Sequence, residues 1–409
     1  MAEPLLAMNP FADIHVHPQP ETYPIDVARI ETITVRCPVR GRGVVGRDLT
    51  PAGDPVLFGF FAGLVARGGE IELDSDAALV PALVALGFLV VDDDIVDWPA
   101  FAVPLDAPDD PPGDPAAAAD ASWRVADGVV VQSAFALHPG LRWPVDYEEQ
   151  DGRLRCFAPG PALWVGDPAA LVDAYWLTAD EARQIAPLVP GAAAPPLPPG
   201  LARSLAEVGA LVPAGRPPLP PPGLARFGRA RAAYAADGCA VVRGLVGARE
   251  LAALRRYYAA LFAAELVPLA GPHHTARHAA YNDPVGRFVH TRLTAAMSAV
   301  AGQPVEPAFS YLLAYAGGAA LAPHKDRAEA EFSISLQIDH APDTAGATGW
   351  PLWFRFDDGR RVAADLAIGD AVLYHGRAVT HHREVLPAGQ RSTVLVLEYV
   401  PREFRGLRI

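Results

Sequence analysis

The sequence predicts an α+β protein in which two small winged-helix-like α/β units precede a carboxy-terminal double-stranded β-helix, or jelly-roll, with flanking helices. Three observations support this prediction. Short alternating strands separated by turn residues fill residues 309–400. The order strand, helix, helix, strand occurs twice before residue 224. Proline-rich segments, the first at residues 104–121, separate these parts of the chain.

The composition limits the possible partners. At 409 residues with 51% hydrophobic content, the chain is long enough for two or three domains with buried cores. Its net charge is −13 and Lys325 is the only lysine, so no basic surface is available to neutralise phosphates. We therefore expect no nucleic-acid partner.

The cysteines and the hydropathy give an expectation for location. Cys37, Cys156 and Cys239 are odd in number and too far apart for a zinc motif, as expected in a reduced compartment. The amino terminus lacks the charged and apolar regions of a signal peptide, and no apolar run reaches membrane-spanning length. We therefore expect a cytoplasmic protein without a membrane partner.

The first predicted unit comprises residues 1–103. A β-branched run within residues 26–45 predicts a strand, and residues 55–65 predict a short apolar helix. A second helix, capped by Asp76, is expected to end at Gly87 before a final strand. This order of elements is typical of a winged helix.

The segment from Asp13 to His17 resembles the first metal motif of an amidohydrolase barrel, because His15 and His17 are two residues apart. Such a barrel needs ~250 residues of alternating strands and helices. The sequence that follows has no such pattern. We therefore interpret both histidines as part of a polar strand or loop rather than as metal ligands.

A linker at residues 104–121 leads to the second predicted unit, residues 122–223, which repeats features of the first. A degenerate duplication explains the repeated spacing, and chance matching is the alternative. Four residues with the same intervals occur in each copy: Leu79, Leu83, Leu86 and Gly87, then Leu201, Leu205, Val208 and Gly209.

The two units resemble the winged-helix domains that present precursor peptides to tailoring enzymes in ribosomal natural-product pathways. Such domains bind a leader segment by strand addition at a sheet edge. The alternatives are packing domains or degenerate DNA-binding winged helices. The acidic composition and the lack of a basic recognition helix argue against DNA binding.

Residues 224–409 contain a candidate metal site. His324 and Asp326 are two residues apart, so on an extended strand their side chains lie on the same side. A distal histidine would complete a triad of two histidines and one carboxylate, which holds Fe(II) and leaves three coordination positions open. Arg391 lies ten positions after His381, and a guanidinium binds a carboxylate through two parallel hydrogen bonds.

Three histidines compete for the distal position. Alternation along a strand lets His375 and His381 share a face while His382 points away. The ten-residue interval to Arg391 also favours His381. His382 is the alternative, and His375 is expected at the pocket wall or the surface. The competing interpretation of the whole pattern is a set of strand-end histidines that bind nothing.

In these motifs, residues 224–409 resemble the Fe(II)/2-oxoglutarate-dependent dioxygenases, especially the prolyl-hydroxylase-like and phytanoyl-hydroxylase-like branch. The resemblance implies a jelly-roll domain, the cofactors Fe(II), 2-oxoglutarate and O₂, and ascorbate as an accessory reductant. It implies hydroxylation or desaturation rather than halogenation, because the carboxylate of the metal motif is present. The implied roles are iron ligation by His324, Asp326 and His381, and 2-oxoglutarate binding by Arg391, Ser392 and Tyr315.

Four further residues are expected to contact substrate. A polar loop with His273, His274 and His278 is expected to cover the pocket, and Arg277 and Asn282 are then candidate substrate contacts. Gln337 and Trp350 are expected to face the site from a strand and a loop edge, with plain packing as the alternative. The candidates from these segments are Arg277, Asn282, Gln337 and Trp350.

The sequence leaves three hypotheses for function open. The first is hydroxylation of a peptide or protein side chain that the amino-terminal units recruit. The second is hydroxylation of a small metabolite, such as an amino acid or a lipid-like acid, with those units only structural. The third is a non-catalytic scaffold with a dioxygenase fold.

Overall fold

The structure is a computed structural model. It describes residues 6–9, 11–17, 27–66, 79–106, 122–142, 156–214, 222–267, 277–344 and 346–404. Several sequence predictions lie outside these residues, namely the cap at Asp76, most of the linker at 104–121, and His273 and His274.

The first unit is a three-stranded antiparallel sheet, ordered β2-β3-β4, that packs on two helices. Strand β3 alternates, so that Ile33, Val35 and Cys37 are buried against the helices while Thr34 and Arg36 lie on the opposite face. The strand–helix–helix–strand order is as predicted, and the winged-helix assignment stays a prediction. The elements are β1 (Ala7–Met8), β2 (Asp13–His17), a 3₁₀ turn (Val27–Arg29), β3 (Thr32–Val39), β4 (Gly43–Leu49), α1 (Pro55–Ala66), α2 (Leu79–Leu86), β5 (Leu89–Val90) and a 3₁₀ turn (Asp92–Asp94).

The second unit contains an antiparallel sheet, β7-β8-β9, and a separate pair, β6 with β10. Its first helix begins with a capping box, because the Thr178 hydroxyl accepts from the Glu181 backbone and the Glu181 carboxylate accepts from the Thr178 backbone. The elements are β6 (Trp123–Val125), β7 (Val130–Gln132), β8 (Ala162–Asp167), β9 (Leu171–Trp176), α3 (Ala179–Ile185), α4 (Pro199–Glu207) and β10 (Leu211–Pro213).

The rest of the chain forms two antiparallel sheets with the strand order of a jelly-roll: β11-β18-β15-β20-β13-β12 in the large sheet and β14-β19-β16-β17 in the small one. The elements are α5 (Pro222–Asp237), β11 (Cys239–Val242), α6 (Ala248–Ala263), β12 (Arg277–Tyr281), α7 (Pro284–Ala301), β13 (Val305–Ala316), β14 (Leu321–His324), β15 (Phe332–Ala341), β16 (Leu352–Arg355), β17 (Arg361–Ala364), β18 (Ala371–Tyr374), β19 (Thr380–Arg383) and β20 (Arg391–Pro401).

One segment differs from its predicted conformation. His278 was expected in a loop over the pocket, but it lies on strand β12, which pairs with β13. Its side chain is exposed, and its Nδ1 lies 3.0 Å from the carbonyl oxygen of Val267. His278 therefore belongs to the edge of the large sheet and not to a lid.

The hydrophobic core of the jelly-roll continues into the second unit. Phe288 on α7 packs against the rings of Phe157 and Trp164, and Trp176 belongs to the same buried cluster. Burial of these large aromatic side chains is a major source of stability. The core is therefore not confined to residues 224–409, whereas the first unit has a separate cluster around its own helices.

A buried ion-pair network crosses the same contact. Arg292 on α7 donates to the carboxylates of Glu250 on α6 and Asp173 on β9, and also to the Val172 carbonyl. Burial raises the pKa of Glu250, although the neighbouring guanidinium opposes this effect.

Within the described part of the chain, no helix has the length and apolar character needed to cross a membrane. The three cysteines are free and buried.

Candidate active site

Two histidines and one aspartate meet where two strands of the small sheet pair. Strands β14 and β19 are antiparallel, with His324 opposite His381. Nε2 of His324 lies 3.3 Å from Oδ1 of Asp326, and Nε2 of His381 lies 3.5 Å from the same oxygen. The three ligand atoms lie within 4.8 Å of one another. The structure thus brings His324, Asp326 and His381 together, as the sequence predicts.

The other nitrogen of each imidazole is held by a backbone carbonyl. Nδ1 of His324 lies 2.8 Å from the Ala322 oxygen, and Nδ1 of His381 lies 3.1 Å from the Val379 oxygen. Since a carbonyl only accepts, each Nδ1 donates to its carbonyl, and each Nε2 is left facing the Asp326 carboxylate. This arrangement orients both Nε2 atoms as metal ligands.

The electrostatics of the cluster also fit a divalent cation. The hydrogen bond with Asp326 raises the pKa of His324, although burial opposes the shift. Burial alone would raise the pKa of Asp326, but hydrogen bonds from the two imidazoles lower it well below its ordinary value. Two imidazoles and a carboxylate are the donor set that divalent iron takes in facial-triad sites.

Close packing holds the carboxylate of Asp326. A Cβ at Gly376 would lie 2.2 Å from Oδ2 of Asp326 and 2.7 Å from the Ala330 oxygen, so only glycine fits there. The Gly376 oxygen accepts a 2.9 Å hydrogen bond from the Asp326 backbone. On the same side, the Ser333 hydroxyl lies 3.4 Å from Oδ2 of Asp326 and 2.5 Å from the buried carboxyl of Glu398. Nothing in the local sequence pattern indicates these contacts.

The two competing histidines lie elsewhere. His382 points to the other face of β19, where its Nε2 lies 3.5 Å from Nη2 of Arg361. His375 lies near Glu331, with its Nε2 3.8 Å from the carboxylate. Neither belongs to the metal-ligand cluster found among the described residues.

A cavity of about 810 Å³ opens next to the cluster. Both sheets of the jelly-roll contribute to its wall, and so does the first sheet of the chain, β2-β3-β4. Residues from the large sheet include Arg277, Tyr281, Tyr311, Tyr315, Ser335, Tyr374, Val394, Val396 and Glu398. Residues from the small sheet and from the segment directly after β14 include Leu321, His324, Lys325, Asp326, Arg327, Leu352, His381 and Arg383.

Arg383 is the arginine buried in this wall. It lies two residues after His381 on β19, so both side chains share the inner face. Its Nη1 donates a 2.7 Å hydrogen bond to the Trp350 oxygen, and its guanidinium lies 4.5 Å from the Trp350 ring. Its Nη2 is buried without a hydrogen-bond partner among the described residues. Burial lowers the pKa of Arg383. Such a group is ready to bind an anion.

The structure does not bring Arg391 into the cavity. Arg391 is exposed at the start of β20, opposite Ala316. Because side chains alternate along a strand, the next residue, Ser392, points inward. Its hydroxyl accepts a 3.0 Å hydrogen bond from Nε2 of Gln337. Gln337 also donates to the Asp339 oxygen at a bulge in β15, and neither Ser392 nor Gln337 is among the lining residues of the cavity.

The remaining predicted residues divide into two groups. Tyr315 and Arg277 line the cavity, and the Arg277 guanidinium lies 5.8 Å from the Tyr315 ring. Trp350 packs edge-on against Tyr315 at 5.0 Å and supports Arg383 from outside the lining. Asn282 accepts a 2.9 Å hydrogen bond from the Ser310 backbone, so it holds a turn and does not line the cavity.

Comparison with known proteins finds similarity to solved structures only. No family model matches the chain, and no curated protein matches it. The epimerase SnoN from nogalamycin biosynthesis, described as non-heme and alpha-ketoglutarate dependent, is 20% identical over 43% of this chain and 83% of its own, with a TM-score of 0.37. A Pseudomonas putida prolyl-4-hydroxylase is 16% identical over 43% of this chain and 99% of its own, with a TM-score of 0.36.

HygX from Streptomyces hygroscopicus, solved with nickel, 2-oxoglutarate and hygromycin B, is 14% identical over 44% of this chain and 88% of its own, with a TM-score of 0.35. These similarities concern less than half of the chain, at TM-scores below 0.5. The function of this chain therefore has to be inferred from its own residues.

Proposed function

We propose that the chain is an Fe(II)- and 2-oxoglutarate-dependent oxygenase that hydroxylates an unactivated C–H bond. The observation that carries this proposal is the convergence of three ligand atoms within 4.8 Å, with both Nδ1 atoms held by carbonyls. His324, Asp326 and His381 would hold the iron. When bound, the iron supplies the oxidising chemistry that side chains lack.

The overall reaction needs dioxygen and one organic co-substrate, 2-oxoglutarate, to balance. Dioxygen, 2-oxoglutarate and a substrate C–H bond give succinate, carbon dioxide and a C–OH group. The protein contributes binding and orientation, because the three ligand residues lie in the wall of a cavity that is already formed. Asp326 occupies the carboxylate position of the triad, which supports hydroxylation over halogenation.

For the far carboxylate of 2-oxoglutarate, the best-supported residue is Arg383 rather than Arg391. Arg383 is buried in the cavity wall with one unpaired nitrogen, whereas Arg391 is exposed outside it. The Cα atoms of His381 and Arg383 are ~6.6 Å apart along the strand, which places the guanidinium within reach of a co-substrate bound at the metal. Tyr315 lies on the same wall and is a further candidate contact.

The domain limits and the substrate belong to the same proposal. We retain residues 1–103 and 122–223 as two units and residues 224–409 as the catalytic domain, with a core shared across the second boundary. A cavity of about 810 Å³ is within the usual range for small-molecule sites. A peptide side chain delivered by the first two units is the alternative substrate.

The proposal is tested by measuring succinate formed from 2-oxoglutarate by the full-length protein with Fe(II) in air. We expect slow turnover without a second substrate, and none in the absence of iron or oxygen. Asp326→Ala should abolish turnover, because one of three protein ligands is removed. Tight metal binding without any turnover would support the non-catalytic scaffold instead.

A further inference from the structure

The first sheet of the chain forms part of the cavity wall next to the metal cluster. Thr32, Thr34 and Arg36 alternate along β3 and face the cavity, while the residues between them face the core of their own unit. Asp13 on β2 and Asp48 on β4 lie opposite Arg36 and Thr34, respectively, and complete this surface. We call these five residues the polar face of the first sheet.

The contact between this face and the jelly-roll is also electrostatic. The Asp13 carboxylate contributes to the raised pKa values of Tyr281 and Tyr311, after burial as the main cause. Both tyrosines line the cavity from the large sheet. The polar face thus lies close to the site and does not belong to a remote recruiting module.

The cavity collects positive charge in an acidic protein. The chain carries a net charge of −13, yet five arginine and lysine side chains line this cavity, including the chain's only lysine. Four carboxyl groups also line it, so the basic side chains outnumber the acidic ones by one, and an excess of cations in a cleft raises the local concentration of anionic ligands. The five residues are Arg36, Arg277, Lys325, Arg327 and Arg383.

Two of these cations lack a side-chain partner and a third has one unpaired nitrogen, whereas the acids of the cavity have partners. The side chains of Arg36 and Lys325 form no hydrogen bond or ion pair among the described residues. Nε of Arg277 is buried without a partner there. In contrast, Asp48 accepts a 2.7 Å hydrogen bond from the Thr34 hydroxyl, and the buried Glu398 carboxyl is bonded to Ser333. The groups of the cavity that remain free to bind a ligand are therefore cationic donors, and their ligand would be an anion.

We propose that the prime substrate is a small anionic molecule, bearing a carboxylate or phosphate, that binds between the polar face of the first sheet and the metal cluster. Arg36, Lys325 and Arg277 would bind its anionic group, because guanidinium and ammonium groups form charge-assisted hydrogen bonds with both anions. The inference rests on the proposed oxygenase function, and it makes the first unit a part of the active site.

The test uses the full-length protein and a defined set of compounds. Short amino, hydroxy and fatty acids are compared with their neutral primary amides and with small phosphate monoesters. Stimulation of succinate formation is measured in air, and thermal stabilisation is measured without oxygen in the presence of Mn(II) and 2-oxoglutarate. We expect acids or phosphate esters to act in both assays and amides in neither, and the active class identifies the anionic group.

Two arginines of the same unit give a matched pair of variants. Arg36→Gln removes a cation from the cavity, and we expect the half-saturating concentration of the active compound to rise about tenfold or more. Arg36→Lys should restore part of the loss. Arg47→Gln removes the same charge from β4 outside the cavity, where Arg47 pairs with Asp54, and should change nothing. Circular dichroism checks the folding of each variant.

The outcomes separate this inference from the function on which it rests. Equal effects of Arg36→Gln and Arg47→Gln, or amides as active as acids, would overturn the anion site. Stimulation by peptides but by no small acid would replace it with a macromolecular substrate. Absence of iron-dependent succinate from the unaltered protein would overturn the oxygenase proposal, whereas stabilisation of the Mn(II) form by acids alone would still support the anion site.

Discussion

Replacing Arg383 with glutamine should weaken 2-oxoglutarate binding by about ten- to hundredfold. The guanidinium is buried in the cavity wall, and its free Nη2 has no partner among the described residues. A hydrogen bond to a charged group contributes ~1.5–3 kcal/mol, and about 1.4 kcal/mol corresponds to tenfold in affinity. The loss should therefore be seen in the dissociation constant for 2-oxoglutarate.

The choice of glutamine limits a structural side effect. Arg383 also donates to the Trp350 oxygen and packs on the Trp350 ring. An alanine would leave a cavity and an unpaired carbonyl, costing ~2–5 kcal/mol of folding free energy. Glutamine keeps a donor and part of the volume. Thermal unfolding measured beside the binding titration separates a loss of affinity from a loss of folded protein.

Arg391→Gln is the matched control. Arg391 is exposed at the start of β20, so its replacement should change the dissociation constant for 2-oxoglutarate less than twofold, as expected for a surface site (~0.5 kcal/mol). Both titrations are carried out without oxygen in the presence of Mn(II). If Arg391→Gln weakens binding while Arg383→Gln leaves it unchanged, the assignment from ten-residue spacing is right and the one from burial is wrong.

Three further predictions concern the support of the site. Gly376→Ala should lower metal affinity about ten- to hundredfold in a metal titration, because the new Cβ would displace the Asp326 carboxylate. Arg292→Met should lower the free energy of unfolding in urea by ~3–5 kcal/mol by leaving the buried Glu250 carboxylate unpaired, whereas Arg183→Ala at an exposed pair should cost less than ~1 kcal/mol. The fragment 224–409 should bind a hydrophobic dye or aggregate, unlike the full chain; a soluble fragment with full metal affinity would contradict the shared core.

Local sequence patterns predicted the parts of the site that strands determine by themselves. The two-residue spacing of His324 and Asp326 correctly brought the two side chains together, although β14 ends at His324 and Asp326 lies in the segment after it. The same alternation separated His381 from His382, and the structure places them on opposite faces of β19. Turn residues between short alternating runs were enough to predict most strands of the jelly-roll.

The position of Arg383 in the cavity wall was not predicted, although its signal was present in the sequence. Arg383 follows His381 by two residues, the same alternation that was applied to His324 and Asp326. The ten-residue spacing to Arg391 was preferred because it matched a family pattern. That spacing does not determine on which face of β20 the Arg391 side chain lies. A shift of one residue along the strand moves a side chain from the inner face of the sheet to the outer face.

Features that depend on distant segments had no local signal. Nothing in the periodicity of β3 shows that Arg36 faces a cavity, because most residues that line this cavity lie more than two hundred positions further along the chain. The same holds for the packing of Trp164 against Phe288, which joins the second unit to the jelly-roll. Tertiary contacts of this kind decide where a domain can be divided, and composition alone placed the boundary at residue 224.

The most direct test of the account is a calorimetric titration of Fe(II) into the full-length protein without oxygen. We predict one tight site in the unaltered chain, the loss of this site in His324→Ala, Asp326→Ala and His381→Ala, and its retention in His382→Ala. Retention of the site in His381→Ala with its loss in His382→Ala would contradict the proposed metal centre, and so would unchanged binding in Asp326→Ala.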